Sequence, residues 1–313
     1  MGGGWKIEKV WLAFLILGFA ALACGLFSPP EIVQIPVTQI APTVPPTTVA
    51  SALTPDQVKN AKYQLVFRDS HPVMQLTNGA YQSTTDVSSP NFMSINLASQ
   101  MAFGDLNGDG AGDAAVLLAE NYGGSGVFVS LVAMLNQNGQ PVQAASEMID
   151  DRPQINSLRI RDGQIFLDAT VHGANDPGCC AAQQTQRTYQ FVAGKLMFTS
   201  FITKTPDGGE RVITIDSPTN GSMVSLPLTI TGHVTIAPFE NNLSYVVFDA
   251  NNNEITKGSF LVHADQPGGP GTFSLPLDLS GKNVSGMLRI QIEDASPADG
   301  SILSLGSVTV NVK

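Results

Sequence analysis

From Gln57 to the C-terminus the chain is divided into short β-runs by turn signals, and this punctuation constrains the fold more than any other feature. Tyr63–Arg68 is a candidate strand. Val73–Leu76 and Ala80–Ser83 flank Thr77-Asn78-Gly79; Leu158–Arg161 and Gln164–Ala169 flank Asp162-Gly163; Gln190–Val192 and Lys195–Phe198 flank Ala193-Gly194. Asn-Gly and Asp-Gly accept the positive φ angles of two-residue hairpin turns, so each marks a hairpin. Asp113–Ala119 and Val127–Leu135 are apolar runs joined through Gly123-Gly124-Ser125-Gly126. Hairpins in succession predict an antiparallel β-meander. The helix signal is weak: Pro55-Asp56-Gln57-Val58 with Thr54 as N-cap, enough for one turn. With 30 Gly, 20 Pro and only 13% charged residues, the composition also favours an all-β protein over helical bundles or coiled coil.

The 313 residues suggest about two domains. A first β domain spans 56–205. At Thr205-Pro206-Asp207-Gly208-Gly209 the composition turns to linker, and a second domain spans 211–313. Its seven short runs are Val212–Ile215, Leu228–Gly232, Leu243–Asp249, Gly258–His263, Gly271–Leu277, Gly286–Glu293 and Ser307–Val312. Seven strands in about 100 residues suit an immunoglobulin-like β-sandwich. The Cys–Trp–Cys core of antibody domains is absent, so aliphatic and Phe side chains must fill it. The segments Ile215-Asp216-Ser217-Pro218, Ile230-Thr231-Gly232-His233-Val234, Gly271-Thr272-Phe273 and Ala295-Ser296-Pro297-Ala298-Asp299-Gly300-Ser301 occur in order. In this it resembles the immunoglobulin-like domain of bacterial spore germination. The resemblance implies an extracellular accessory module and does not imply germination.

At the N-terminus, Lys6 and Lys9 precede an unbroken apolar run, Val10–Ala23, which reads as a secretory signal over 1–23. Fourteen residues are too few to span a bilayer comfortably, which takes about 20. The run ends in Ala21-Leu22-Ala23-Cys24-Gly25, which resembles a bacterial lipobox. Ala21 stands where the family usually has Leu. The resemblance implies cleavage before Cys24 and a diacylglyceryl group on its sulfur. The alternatives are a plain signal cleaved after Ala23, or an uncleaved anchor. Residues 24–55 are a Pro/Thr-rich tether that cannot hold a core. Fully extended at ~3.1 Å per residue it reaches ~90 Å, lifting the folded part off a membrane.

The sharpest chemical signal is Asp105-Leu106-Asn107-Gly108-Asp109-Gly110-Ala111-Gly112-Asp113. Side-chain oxygens fall at loop positions 1, 3, 5 and 9, with Gly at 6, and the carbonyl of Ala111 can supply position 7. Such an oxygen-only shell suits a hard cation, Ca²⁺. The loop resembles those of EF-hands, dockerins and integrin-type β-propeller repeats, but Val116 stands where their bidentate Glu would be. Its flanks read as strands, so the β-flanked form is favoured. The alternative is a solvated Asx-rich turn without an ion.

Asp176-Pro177-Gly178-Cys179-Cys180 follows His172. Outside the cytoplasm adjacent thiols tend to oxidise. A vicinal disulfide between Cys179 and Cys180 would stiffen the loop. Free thiols, a link to another chain, or a soft-metal or redox role using His172 are the alternatives. The order of motifs over about 60–200 resembles a domain of uncharacterised bacterial lipoproteins and brings no catalytic residue with it.

The 16 Lys+Arg against 26 Asp+Glu give a net charge of −10, which argues against nucleic-acid binding. Ser125 lacks the Gly two places later that a nucleophile elbow needs, and there is no Walker loop or His-Glu-x-x-His motif. The sequence therefore predicts a non-enzymatic, lipid-anchored protein of the bacterial cell envelope, facing the outside of the cytoplasmic membrane. It would bind a protein or an envelope polymer and carry a structural Ca²⁺. The alternatives are a hydrolase whose site is assembled from distant residues, or a vicinal-cysteine redox or metal-handling lipoprotein. A sugar-binding module is disfavoured, because both tryptophans, Trp5 and Trp11, lie in the leader.

Overall fold

The structure is a computed structural model that describes residues 51–68 and 70–313. The leader, Cys24 and most of the tether lie outside the described residues. The chain opens on a one-turn helix, α1 (Pro55–Lys59). Thr54 and Gln57 form a capping box there: Thr54 Oγ1 accepts from Gln57 N, and the Gln57 side chain accepts from Thr54 N. In chain order the strands of the first half are β1 (Lys62–Gln64), β2 (Val73–Gln75), β3 (Ala80–Gln82), β4 (Ser94–Gly104), β5 (Asp113–Asn121), β6 (Phe128–Gln137), β7 (Gln140–Asp151), β8 (Gln154–Arg161), β9 (Gln164–Val171), β10 (Gln183–Val192) and β11 (Lys195–Lys204). Those of the second half are β12 (Glu210–Arg211), β13 (Ile213–Ser217), β14 (Ser222–Val224), β15 (Leu228–Val234), β16 (Asn242–Asp249), β17 (Glu254–Leu261), β18 (His263–Ala264), β19 (Gly271–Leu277), β20 (Gly286–Ala295) and β21 (Ile302–Val312).

The protein is all-β. Strands β3 to β7 form a five-stranded antiparallel meander. Its central strands carry continuous apolar runs because both faces are covered. Ala115, Leu117, Leu131 and Ala133 pack on Ile165, Leu167 and Tyr189 of the β8–β11 layer. Ala114, Val116, Leu118 and Met134 pack on Val58, Tyr63, Leu65 and Leu76, which α1 and the β1–β2 segment bring over the other face. Each large side chain fully buried in this way contributes about 1.5–3 kcal/mol.

The Asp162-Gly163 and Ala193-Gly194 hairpins form as predicted. Asn78-Gly79 does turn the chain, with φ of 53° and 83°, but its flanking strands close only one bridge, Thr77 to Ala80. Beyond it β2 pairs with β1 while β3 pairs with β4, so no hairpin ladder follows.

The second half is the immunoglobulin-like sandwich. A four-stranded sheet, β13-β15-β19-β18, faces β16, β20 and β21 across a core that includes Ile230, Val247, Phe273, Ile290 and Val310. All seven predicted runs fall on strands. The Thr205–Gly209 stretch is a tight turn, closed by Thr205 N to Gly209 O, and it lets β12 pair back onto β11. The sheet does not stop there. Ser200, Phe201 and Ile202 of β11 pair with Gly306, Leu305 and Ser304 of β21, so the ladder of β8–β11 continues into β21, β20, β16 and β17. At this crossing Gly306 is required. A Cβ there would stand 2.5 Å from the carbonyl oxygen of Ile213.

Candidate functional site

Three groups of polar side chains can be weighed as sites. The first is the Asp105–Asp113 loop between β4 and β5. Asp105 accepts from Asn107 N and Gly108 N on Oδ1 and from Gly110 N on Oδ2. Burial acts to raise its carboxyl, but the backbone donors, Gly110 foremost, outweigh it and hold Asp105 below the usual range. Gly110 has φ of +82°, which lets its N–H turn inward. Asn107 Nδ2 donates to Asp109 Oδ2, and Asp109 Oδ1 accepts from Ala111 N. Asp113 differs, being fully buried. Its two oxygens accept from Leu106 N and Asn136 N at 2.8 Å each, and burial pushes its carboxyl up.

The loop thus gathers Asp105, Asn107 and Asp109 on one exposed turn, while Asp113 ties that turn to β6. Among the described residues no three His, Cys, Asp or Glu side chains converge as a metal site. The donors present are all oxygens, the kind a hard cation takes. The loop also clasps the incoming chain: Leu53 N donates to Gly112 O, and Asn136 Nδ2 donates to Ser51 O.

The second group lies at the other ends of these strands, where the 122–127, 151–153 and 172–182 turns meet. Asp151 Oδ1 accepts from Val127 N, and Arg152 forks onto Asp151 and reaches Gly178 O. The Arg152 bond first, opposed by burial and helped by Val127 N, holds Asp151 low. The exposed Cys179 and Cys180 are joined through their sulfurs. His172 Nδ1 lies 2.8 Å from Asp150 Oδ2, and His172 Nε2 is buried without a partner. Among the described residues no hydroxyl or thiol is hydrogen-bonded to that nitrogen. A second His–Asp pair, His233 with Asp216 at 3.0 Å, is exposed on the immunoglobulin-like half.

The third group was not legible in the sequence. The β11–β21 ladder joins the two halves through only three residue pairs. The cleft between them has a volume of about 610 Å³. Arg161, Gln164 and Gln190 line it from one half, and Asn252, Arg289 and Thr309 from the other. Arg289 is 6% exposed. Its guanidinium lies over the Phe248 ring, 4.2 Å from the centroid, and donates to Asn252 Oδ1 at 2.8 Å and to Gln291. Gln291 in turn donates to Glu293. Two carboxylates also line the cleft. Asp162 sits on the exposed β8–β9 turn 3.6 Å from Arg161. Asp249 is bound by Asn253 and by Asn251 N, and the Asn253 side-chain bond leads in holding it low. The signal for this cleft was the alternation Leu288-Arg289-Ile290-Gln291-Ile292-Glu293, which places three polar groups on one face of β20. Another polar cavity, of about 520 Å³, lies beside α1, β1 and β7, and Gln57, Lys62, Gln75 and Gln143 help line it.

Among the described residues no helix is long and apolar enough to cross a membrane. Residues 212–301 match the model of a family described as the immunoglobulin-like domain of bacterial spore germination. A search of curated proteins finds no match. Among solved structures, CopC from Methylosinus trichosporium OB3b is similar over 33% of this chain and 94% of its own, at 17% identity and a TM-score of 0.23. The extracellular domain of a protein described as a one component system from B. thetaiotaomicron is similar over 83% of this chain and 36% of its own, at 12% identity and a TM-score of 0.21. The chain thus spans about a third of that second structure.

Proposed function

We propose that this chain is a non-catalytic binding protein of the bacterial cell envelope. A lipid on Cys24 holds it at the outer face of the cytoplasmic membrane, and the 24–55 stretch carries its two β domains away from the bilayer. The Asp105–Asp113 loop holds a structural Ca²⁺ through Asp105, Asn107, Asp109 and the Ala111 carbonyl, while Asp113, bonded to Leu106 N and Asn136 N, anchors the loop to β6. With the ion in place the loop fixes the point where the tether enters the fold. The joined Cys179 and Cys180 stiffen a loop tip.

The observation that carries this reading is the lining of the cleft at the sheet junction. Its size is that of a ligand site. It presents amides, hydroxyls and two guanidinium groups, with no His or Cys among them. Hydrolysis of a glycosidic bond needs a carboxylic acid held protonated beside a second carboxylate. Asp249 is held in the opposite direction, and Asp162 is paired with Arg161 on an exposed turn. Such a surface suits holding a ligand.

Co-sedimentation of the full chain with purified envelope polymers tests the reading. Saturable binding that leaves polymer length unchanged is the expected result. Release of new polymer ends would establish the hydrolase alternative. For the anchor, Cys24→Ala should release the protein from membranes or leave the leader attached. Full membrane retention with a cleaved leader would refute lipidation.

A further inference from the structure

Arg289 poses a physical problem. Taking a guanidinium out of water costs several kcal/mol unless an opposite charge meets it. Among the described residues no carboxylate lies within ion-pair distance of Arg289. Its partners are two neutral amides, Asn252 and Gln291, and the face of Phe248. The acid that acts on it, Glu293, does so from beyond Gln291. Burial pulls the Arg289 guanidinium down to about 10, with Glu293 opposing, so it stays charged at neutral pH. The group is held in one orientation, under-neutralised, on the wall of a cleft of about 610 Å³.

The planar fork of Arg matches carboxylate and phosphate oxygens, and fixing it in advance reduces the ordering cost of binding. A second cation, Arg161, lines the same cleft from the other half, over the Phe166 ring at 5.1 Å and 3.6 Å from the exposed Asp162, which with Asp249 is one of the two carboxylates that share the cleft wall. Between them the walls carry groups that donate and accept hydrogen bonds, among them Gln190, Asn220, Thr188 and Thr309. Those are the partners a chain of hydroxyls needs. Recognition through amides and guanidinium groups does not require the Trp platform that this half of the sequence lacks.

We infer that the junction cleft binds an acidic sugar chain, with Arg289 anchoring its anionic group and Arg161 as the second cation. The inference deepens the reading of the chain as a binding module and rests on it. The anion is a carboxylate or a phosphate on the sugar; both offer the paired oxygens that the guanidinium fork takes.

Calorimetric titration of the full chain in detergent at low salt tests this with trigalacturonate, neutral cellotriose and inorganic phosphate. A trisaccharide phosphate run beside trigalacturonate separates the two anions. Either acidic trisaccharide should bind, cellotriose should bind at least tenfold more weakly, and phosphate alone should compete only weakly. Arg289→Gln should lower the affinity for the acidic sugar about tenfold or more, the equivalent of 1.4 kcal/mol. Because Arg289 is buried, the exposed Arg161→Gln provides a second variant without risk to the fold, and it should weaken binding in the same direction. Equal binding of acidic and neutral sugars, or binding unchanged in both variants, would overturn the inference while leaving a binding module. Phosphate binding as tightly as the acidic sugars would also overturn it, by showing an anion site without sugar recognition. Cleavage of trigalacturonate would instead overturn the non-catalytic reading.

Discussion

Gly306→Ala perturbs the place where the two halves share a sheet. Gly306 pairs with Ser200 of β11 while β13 passes over it, and the added Cβ would lie 2.5 Å from Ile213 O and 3.3 Å from the Ile213 carbonyl carbon. Real Cβ atoms do not approach backbone oxygen that closely, so β13 must lift or β21 must shift away. Ile213 is a buried member of the sandwich core, and its displacement loosens packing there. Overpacking of this kind costs about 1–3 kcal/mol. For a folded region of this size each kcal/mol moves Tm by about 2–4 °C, so the variant should melt about 2–12 °C lower. Thermal denaturation followed by circular dichroism reads the shift. Gly281→Ala is the control, because a Cβ there meets nothing within 4 Å. If Gly306→Ala melts with Gly281→Ala and the wild type, β13 does not lie on the junction and the close approach is wrong.

Ca²⁺, binding the folded state alone, should stabilise it by about 2.7 kcal/mol at a hundredfold excess over Kd, read as a higher Tm; Asp105→Ala or Asp109→Ala should remove the effect, and an unchanged melt with and without chelator would reduce the motif to a turn. Mg²⁺, which demands near-octahedral geometry, should stabilise less. Asp294 is 3% exposed, and burial raises its carboxyl despite Arg211 at 3.6 Å. A raised folded-state pKa favours the fold below the ordinary carboxylate value and loses that contribution as pH rises through the folded value. Asp294→Asn should therefore gain stability relative to wild type as pH rises above the ordinary carboxylate value, and a pH-independent difference would refute this. Thr54→Ala removes the N-cap of α1 and should cost about 1 kcal/mol, read as a lower denaturation midpoint; no change would mean that α1 does not help cover the first core.

The sequence was most informative where structure is set by neighbours along the chain. Asp162-Gly163 and Ala193-Gly194 specify their turns locally, and Thr54 with Gln57 specifies the helix start. Gln140–Asp151 is a strand without a strong sequence signal, although Asn138-Gly139 turns into it with φ of 55° and 83°. Its polar, half-exposed residues lack a strong alternation. Asn78-Gly79 failed in the other direction, since a turn fixes the local bend and not the partners of the strands that leave it. The crossing of β11 with β21 joins residues about a hundred positions apart, and no local signal encodes such a pairing. The cleft inherits that limit: Arg161, Gln190, Asn252 and Arg289 meet only because the sheet continues across the Thr205–Gly209 turn. The acidic loop was fully visible as a motif. That Asp113 is buried and bonded to Leu106 and Asn136 was not, because it depends on β6 lying alongside.

Chemical-shift mapping with a soluble acidic envelope polymer tests the central claim, that this is a binding protein whose site is the junction cleft. The account predicts saturable shifts at Gln190, Asn252, Met287, Arg289 and Thr309, with the polymer recovered intact. Shifts confined to the 172–182 loop around His172, Cys179 and Cys180, or a shortened polymer, would contradict it.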